Sequence, residues 1–244
     1  MASDLRQPHH LPNLRANRQP PDPRVHLPRQ RRGTTPQMIG RYPDYDVFDA
    51  VDTWDEKTRD VVEKRLHVHE KVLRFFNEEE ALALRAFCDT VTDQDSEPRI
   101  PVAEMVDEKL LEGRLEGYQY AGLPDDRETW RLVLRGLDEI AKTRCSASGF
   151  ADLEPDARKA LCEQLSKGEL QGAAWDQLNV RRAWMVCMRD ALGAFYSHPW
   201  AWNEIGFGGP AYPRGFMRFG SMVTAEPFEK PGALATDPTQ EYVE

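Results

Sequence analysis

The chain has 244 residues, of which 30% are charged and 40% hydrophobic, a balance typical of a soluble globular protein. No stretch approaches the roughly 18 apolar residues of a membrane span, and the N-terminus lacks the apolar core of a secretory signal. Arg31-Arg32 is followed by polar and acidic residues, which disfavours a twin-arginine export signal. The four cysteines show no CxxC spacing, which disfavours a zinc site or a disulfide framework. We therefore expect a cytoplasmic protein without membrane insertion.

The net charge of −9 conceals two regions of opposite sign. Residues 1–43 contain eight arginines against Asp4 and Asp22, a net charge of +6, which leaves −15 for the rest of the chain. The eight prolines of residues 1–46 and the scarcity of large apolar side chains predict an extended or disordered tail that becomes ordered on a partner. The acidic remainder argues against nucleic-acid binding by the folded part.

Apolar spacing of three and four residues predicts a mostly α fold, an irregular bundle of about six or seven helices. The predicted helices cover residues 55–74, 77–91, 101–110, 125–144, 155–165 and 173–196. Asn77 and Glu80 form the pattern of a capping box. In the last helix, the core candidates are Trp175, Leu178, Trp184, Cys187, Ala191, Leu192 and Phe195. Three regions follow: the tail 1–46, a helical domain over 47–220, and a flexible C-terminal tail over 221–244.

Residues that could carry catalysis or bind a metal are sparse. His67 and His69 would point about 200° apart on a helix, so one metal ion could not bind both. The acidic pairs lie at predicted helix starts, where carboxylates favour the positive end of the helix dipole. His198 and Glu204 form the one conceivable proton-transfer pair. We predict no catalytic, cofactor-binding or metal-binding residues in this chain.

The segment over residues 194–219 is dense in aromatic, glycine and proline residues, and we expect it to form an irregular loop. Large aromatic side chains are common anchors at protein interfaces. The predicted partner-binding residues are Tyr196, His198, Trp200, Trp202, Asn203, Glu204, Ile205, Gly206, Phe207, Gly208, Gly209, Pro210 and Tyr212.

The sequence WNEIGFGGP (residues 202–210), after a helix ending in Phe195-Tyr196, resembles the C-terminal signature of the gluconate 2-dehydrogenase subunit 3 family. Phe75-Phe76 before the capping box and the Pro98-Arg99-Ile100-Pro101 sequence are similar to the upstream part of that family. The resemblance covers about residues 73–215.

This resemblance implies a non-catalytic small subunit that binds and stabilises a large flavoprotein of the glucose-methanol-choline type. The large subunit would carry FAD and oxidise a sugar, glycoside or related alcohol. The two chains would form a hetero-oligomer, with no cofactor in the small subunit. The basic tail departs from the family pattern, and we hypothesise that it embraces the large subunit, because it is long, apolar at intervals and opposite in charge to the rest of the chain.

Two alternatives remain open from the residues themselves. One is a stand-alone helical enzyme that uses His198 and Glu204. The other is an adaptor that binds nucleic acid or an anionic surface through the arginine-rich tail, although that tail lacks the aromatic residues on which bases stack.

Overall fold

The computed structural model describes residues 46–68, 72–94 and 99–210, without the side chains of Asp49, Ala50 and Glu204. Both predicted tails, 1–46 except for Asp46 and 221–244, lie outside this part. The described residues contain seven α-helices and no strand, which confirms the predicted mostly α bundle. The helices are α1 (Glu56–Leu66), α2 (Glu78–Val91), α3 (Val102–Leu111), α4 (Asp126–Arg144), α5 (Pro155–Lys167), α6 (Val180–Ser197) and α7 (Pro199–Ile205).

The chain divides into two compact units. The terminal unit comprises Met1–His67 and Ser197–Glu244, and the central unit comprises Val68–Tyr196. In the terminal unit, α7 packs against α1 and against the 3-10 helix Val47–Thr53. The predicted limits of the helical domain, 47–220, stay a prediction.

Helix α2 is the centre of the central unit, because it packs against α3, α4, α5 and the 3-10 helix Phe150–Asp152. Its Phe87 is fully buried and meets the rings of Trp130 and Trp184 edge to face, at centroid distances of 5.7 and 6.1 Å. The predicted capping box begins this helix: Asn77 Oδ1 accepts from the Glu80 amide (2.9 Å), and Glu80 Oε2 accepts from the Asn77 amide (3.2 Å).

The helix predicted over residues 55–74 ends at Leu66, and the described residues 72–74 are not helical, so the prediction was wrong there. The amides of Arg74, Phe75 and Phe76 donate to the carboxylate of Asp107 in α3, at 2.8, 3.0 and 3.2 Å. A carboxylate that accepts these three donors replaces the hydrogen bonds that a continuing helix would have made. Val72, which would lie on the apolar face of the predicted helix, is 79% exposed.

The last long helix begins at Val180, seven residues later than predicted. Trp175–Gln177 forms a separate 3-10 helix, and Leu178 has an extended backbone. Asn179 Oδ1 accepts from the Arg182 amide at 3.1 Å, as an N-cap does. The break allows the indole of Trp175 to lie over Gly136 of α4, where it is 2% exposed.

A buried carboxylate joins three helices of the central unit. Asp190 of α6 accepts from Trp130 Nε1 (3.0 Å), Lys109 Nζ (2.8 Å) and Arg189 Nε (3.1 Å). Its side chain is fully buried, and Arg189 also donates to Asp126 at 2.7 Å. Burial opposes the charge of Lys109, but its hydrogen bonds to Asp190 and Glu116 raise its pKa.

Cys88, Cys162 and Cys187, which occupy apolar positions of helical patterns in the sequence, are buried, and Cys145 is exposed. Burial raises the pKa of Cys162 to about 12 and that of Cys88 and Cys187 well above the usual value for a thiol. These three residues therefore act as small apolar core groups.

Gly136→Ala tests the contact with Trp175, since a Cβ there would lie 2.5 Å from the indole. We expect a loss of about 2 kcal/mol in the free energy of unfolding from overpacking, measured by urea titration. Gly193→Ala in α6 is the matched control, because a Cβ there has no neighbour within 4 Å, and it should gain about 0.5–1 kcal/mol of helix propensity. Equal gains in both variants would contradict this packing.

Asp190→Asn tests the buried cluster of Asp190, Trp130, Lys109 and Arg189, because it removes the negative charge with which Lys109 and Arg189 pair. We expect a loss of about 3 kcal/mol in unfolding free energy at neutral pH. Asp93→Asn is the control, since Asp93 pairs with Lys159 at an exposed position, and its loss should stay below about 1 kcal/mol.

The cluster also predicts a pH dependence. The pKa of Lys109 is raised in the folded state. Its contribution to the free energy of unfolding is therefore fully present below the ordinary pKa of 10.5 and is lost as the pH rises through the folded-state pKa. The alkaline decrease in unfolding free energy should therefore be smaller in Asp190→Asn than in the unmodified chain. An equal decrease would contradict the pairing.

Candidate functional site

The segment expected to be an irregular loop contains α7, so that part of the prediction was wrong. Pro199 occupies the first helical turn, where its fixed φ fits a helix and its missing N–H costs nothing. Gly206 ends the helix with a left-handed backbone (φ 70°), which glycine adopts without strain. The abundance of proline and glycine therefore marks the two ends of a short helix.

His198 is the N-cap of α7 and is fully buried. Its Nδ1 accepts from the Trp200 amide at 3.2 Å, and its ring meets that of Trp200 edge to face at 4.9 Å. A nitrogen that accepts a hydrogen bond carries no proton, so this geometry belongs to the neutral ring protonated at Nε2. The position and bonding of His198 are those of a structural cap.

Trp202 lies in the core of the terminal unit, 5% exposed, together with Val47, Trp54 and Val62. Phe207 packs on its edge at a centroid distance of 5.7 Å. Arg65 of α1 lies 5.6 Å from the centre of the Trp202 ring and donates through Nη1 to the Ser197 carbonyl at 2.7 Å. The tryptophan thus holds α1, α7 and the 3-10 helix together.

Asn203 bonds α7 to the first described residues of the chain. Its Oδ1 accepts from the Val47 amide at 2.7 Å, and its Nδ2 donates to Asp46 Oδ1 at 3.3 Å. Asp46 in turn caps the 3-10 helix by accepting from the Phe48 amide at 3.1 Å. The side chains of Asn203 and Asp46 are both buried. Their polar atoms must therefore find hydrogen-bond partners within the protein, which constrains the geometry of this contact.

Gly209 follows the same cluster with a left-handed backbone (φ 76°). A Cβ at this position would lie 2.9 Å from Val47 Cγ2 and 3.0 Å from the Trp54 ring. Both the backbone angle and the close packing therefore require glycine here. The motif residues Trp202, Asn203 and Gly209 all converge on Val47 and its neighbours.

The structure divides the predicted partner-binding residues by exposure. Tyr196 is 43% exposed and Ile205 38% exposed, while Phe207 and Pro210 are partly buried. The buried members are His198, Trp200, Trp202, Asn203, Gly206, Gly208 and Gly209. The Glu204 side chain and Tyr212 lie outside the described part. Partner binding by this set stays a prediction, and the surface available for it is at the exposed members.

The residues that pack against Trp202 were not predicted from the sequence, because residues 47–54 were not assigned to a helix. The apolar positions Val47, Phe48, Val51 and Trp54 recur at the spacing of one helical face and could have indicated it. Nothing in the sequence indicates that this face packs against α7, since about 150 residues separate them.

The part of the chain that the structure describes lacks the side-chain groupings and the helices that metal binding and membrane crossing need. No group of three or more His, Cys, Asp or Glu side chains there has the geometry of a metal site. His67 is exposed, and His69 lies outside the described part. None of the described helices combines the length and the apolar character that crossing a membrane requires.

The family model described as gluconate 2-dehydrogenase subunit 3 matches residues 78–209, more than half of the chain. The chain belongs to this family. The match runs from the first residue of α2 to Gly209, and so includes the motif that anchors α7. No curated protein and no solved structure matches the chain. Family membership implies a small subunit of a gluconate 2-dehydrogenase type of complex.

Asn203→Asp tests the bond between α7 and the 3-10 helix. The new carboxylate would replace a donor with an acceptor beside Asp46 in a buried site, which should destabilise it by about 2–3 kcal/mol. We expect amide hydrogen exchange in residues 46–54 to accelerate on the order of 30-fold or more, as measured by mass spectrometry.

The same substitution at Asn179 is the control. Asn179 caps α6 at an exposed position, and Asp is an equally good N-cap, so exchange in α6 should not change. Unchanged exchange in residues 46–54 of Asn203→Asp would contradict the assigned bonds.

Proposed function

We propose that this chain is the non-catalytic small subunit of a hetero-oligomeric complex. Its partner is a large FAD-dependent oxidoreductase of the glucose-methanol-choline type that oxidises a sugar, glycoside or related alcohol. The observation that carries this proposal is the family match over residues 78–209. The small subunit binds and stabilises its partner, and FAD and the substrate belong to the partner.

The environment of His198 supports this proposal over the stand-alone enzyme. A general base must come within hydrogen-bond reach of the substrate proton that it removes. His198 is fully buried, and its Nδ1 already accepts from the Trp200 amide. This burial and bonding favour a role in stabilising the segment over a role in proton transfer.

The role of the C-terminal segment follows from its two kinds of residue. The buried Trp202 and Asn203 fix α7, and α7 in turn presents Ile205 to solvent. We propose that Ile205 and the partly buried Phe207 contact the large subunit, while the buried residues act by positioning them. The basic tail over residues 1–46 would embrace the same partner, and the cytoplasmic location expected from the sequence stays a prediction.

The test is expression of the tagged chain in its native host, followed by affinity purification. We expect a stoichiometric larger protein whose absorption spectrum shows the bands of a bound flavin. A colourless chain purified alone would overturn the proposal.

Ile205→Glu tests the contact at α7 in the same experiment, with the flavoprotein identified by mass spectrometry. We expect its affinity for the flavoprotein to fall about tenfold or more, as for an apolar anchor at an interface. Val61→Glu is the matched control, since Val61 is an exposed residue (51%) of α1 in the same unit, and its affinity should not change. If Ile205→Glu and Val61→Glu bound the flavoprotein with equal affinity, the contact would not lie at Ile205.

A further inference from the structure

Helix α6 exposes an apolar stripe in the central unit. Met185, Leu192 and Tyr196 are 48%, 37% and 43% exposed, and their spacing of seven and four residues places them on one helical face. Leu192 was predicted to lie in the core, and that prediction was wrong. Gly193, beside it, has open space around its Cβ position, which allows another backbone to approach closely.

Two tyrosines extend this stripe from the loop between α3 and α4. Tyr118 lies 5.8 Å from the Arg189 guanidinium and Tyr120 lies 5.9 Å from that of Arg182, and the two rings meet edge to face at 5.7 Å. Arg182 Nη1 also donates to the Ala121 carbonyl at 2.5 Å. These contacts restrict the arginine and tyrosine side chains before any partner arrives, which lowers the entropic cost of binding.

The types of residue in this patch distinguish it from an ordinary solvated face. Tyrosine, methionine and arginine are enriched at the centres of protein interfaces, and lysine and the acidic residues are depleted there. The patch contains Tyr118, Tyr120, Met185, Leu192 and Tyr196, with Arg181 and Arg182 at one end. We call it the α6 patch.

The charged residues in and around the α6 patch indicate the kind of surface that it binds. The sole acidic residue of α6, Asp190, is buried, and within the described part of the chain neither Arg181 nor Arg182 has a carboxylate at ion-pair distance. The remainder of the chain beyond residue 43 carries −15. The α6 patch is thus an apolar and basic surface on an acidic protein, and it complements a surface with carboxylates beside an apolar centre.

The same charge argument disfavours two of the occupants that this chain itself could supply, its N-terminal tail and a second copy. The tail over residues 1–43 has a net charge of +6 and would repel Arg181 and Arg182. In a symmetric dimer the patch would meet itself. Of the exposed carboxylates near its edge, Glu116 already pairs with Lys109 at 2.8 Å and Asp125 caps α4, so neither is well placed to pair with the arginines of a second copy.

We propose that the α6 patch is a docking surface for the large flavin-bearing subunit, which meets it with an apolar surface flanked by carboxylates. This inference rests on the proposed function and adds a contact surface in the central unit to the contact proposed at Ile205.

The test compares Leu192→Glu with Leu82→Glu in complexes formed with the purified flavoprotein subunit. Leu82 is the matched control, because it is an exposed leucine (61%) of helix α2 in the same unit. We expect Leu192→Glu to raise the Kd about 30-fold or more and Leu82→Glu to change it less than about threefold. Arg181→Glu should also weaken binding, and its effect should shrink at high salt.

Other outcomes separate this inference from the proposed function. If the unmodified chain binds the flavoprotein and Leu192→Glu binds it equally well, the docking surface is overturned and the proposed function stands. If the unmodified chain alone is a dimer that Leu192→Glu converts to a monomer, the patch serves a second copy and the inference is overturned. If the unmodified chain binds no flavoprotein, the proposed function fails and the inference fails with it. Circular dichroism and urea titration confirm that each variant is folded.

Discussion

The carboxylate of Asp190 determines how the helices of the central unit are arranged around α6. It is fully buried and accepts from Trp130 of α4, Lys109 of α3 and its neighbour Arg189. A buried charge of this kind is tolerated only when its partners are in place, so it fixes the rotation of α6 about its axis. The face opposite Asp190 is consequently turned outward, and this is the face that carries Met185, Leu192 and Tyr196.

The terminal unit depends on a second buried polar contact, that of Asn203 with Val47 and Asp46. An amide side chain can accept and donate at once, and both groups are used here. Trp202 and Gly209 pack against the same segment, so three residues of one motif meet residues from the beginning of the described chain. The family match begins at Glu78 and therefore includes the motif but not the segment it contacts.

The proposed function rests on the family match, and the positions of the chemistry-bearing residues agree with it. His198, the strongest catalytic candidate by sequence, is used as a helix cap, and aromatic residues expected at an interface form part of a core. The exposed apolar residues instead lie on α7, at Ile205, and along α6. In a subunit of a multi-subunit dehydrogenase complex, such exposed apolar surfaces suit contact with another subunit.

Local patterns in the sequence determined the α-helical class, the capping box of Asn77 and Glu80, the burial of Cys88, Cys162 and Cys187, and the family. These features depend on neighbouring residues and on periodicity, which a sequence displays directly. The non-helical backbone of residues 74–76, the start of α6 and the exposure of Leu192 depended on distant groups. Asp107 accepts the amides of residues 74–76, Trp175 packs on Gly136, and Asp190 orients α6. Only the tertiary structure decided these, because a buried carboxylate or indole selects its partners in space and leaves no local pattern.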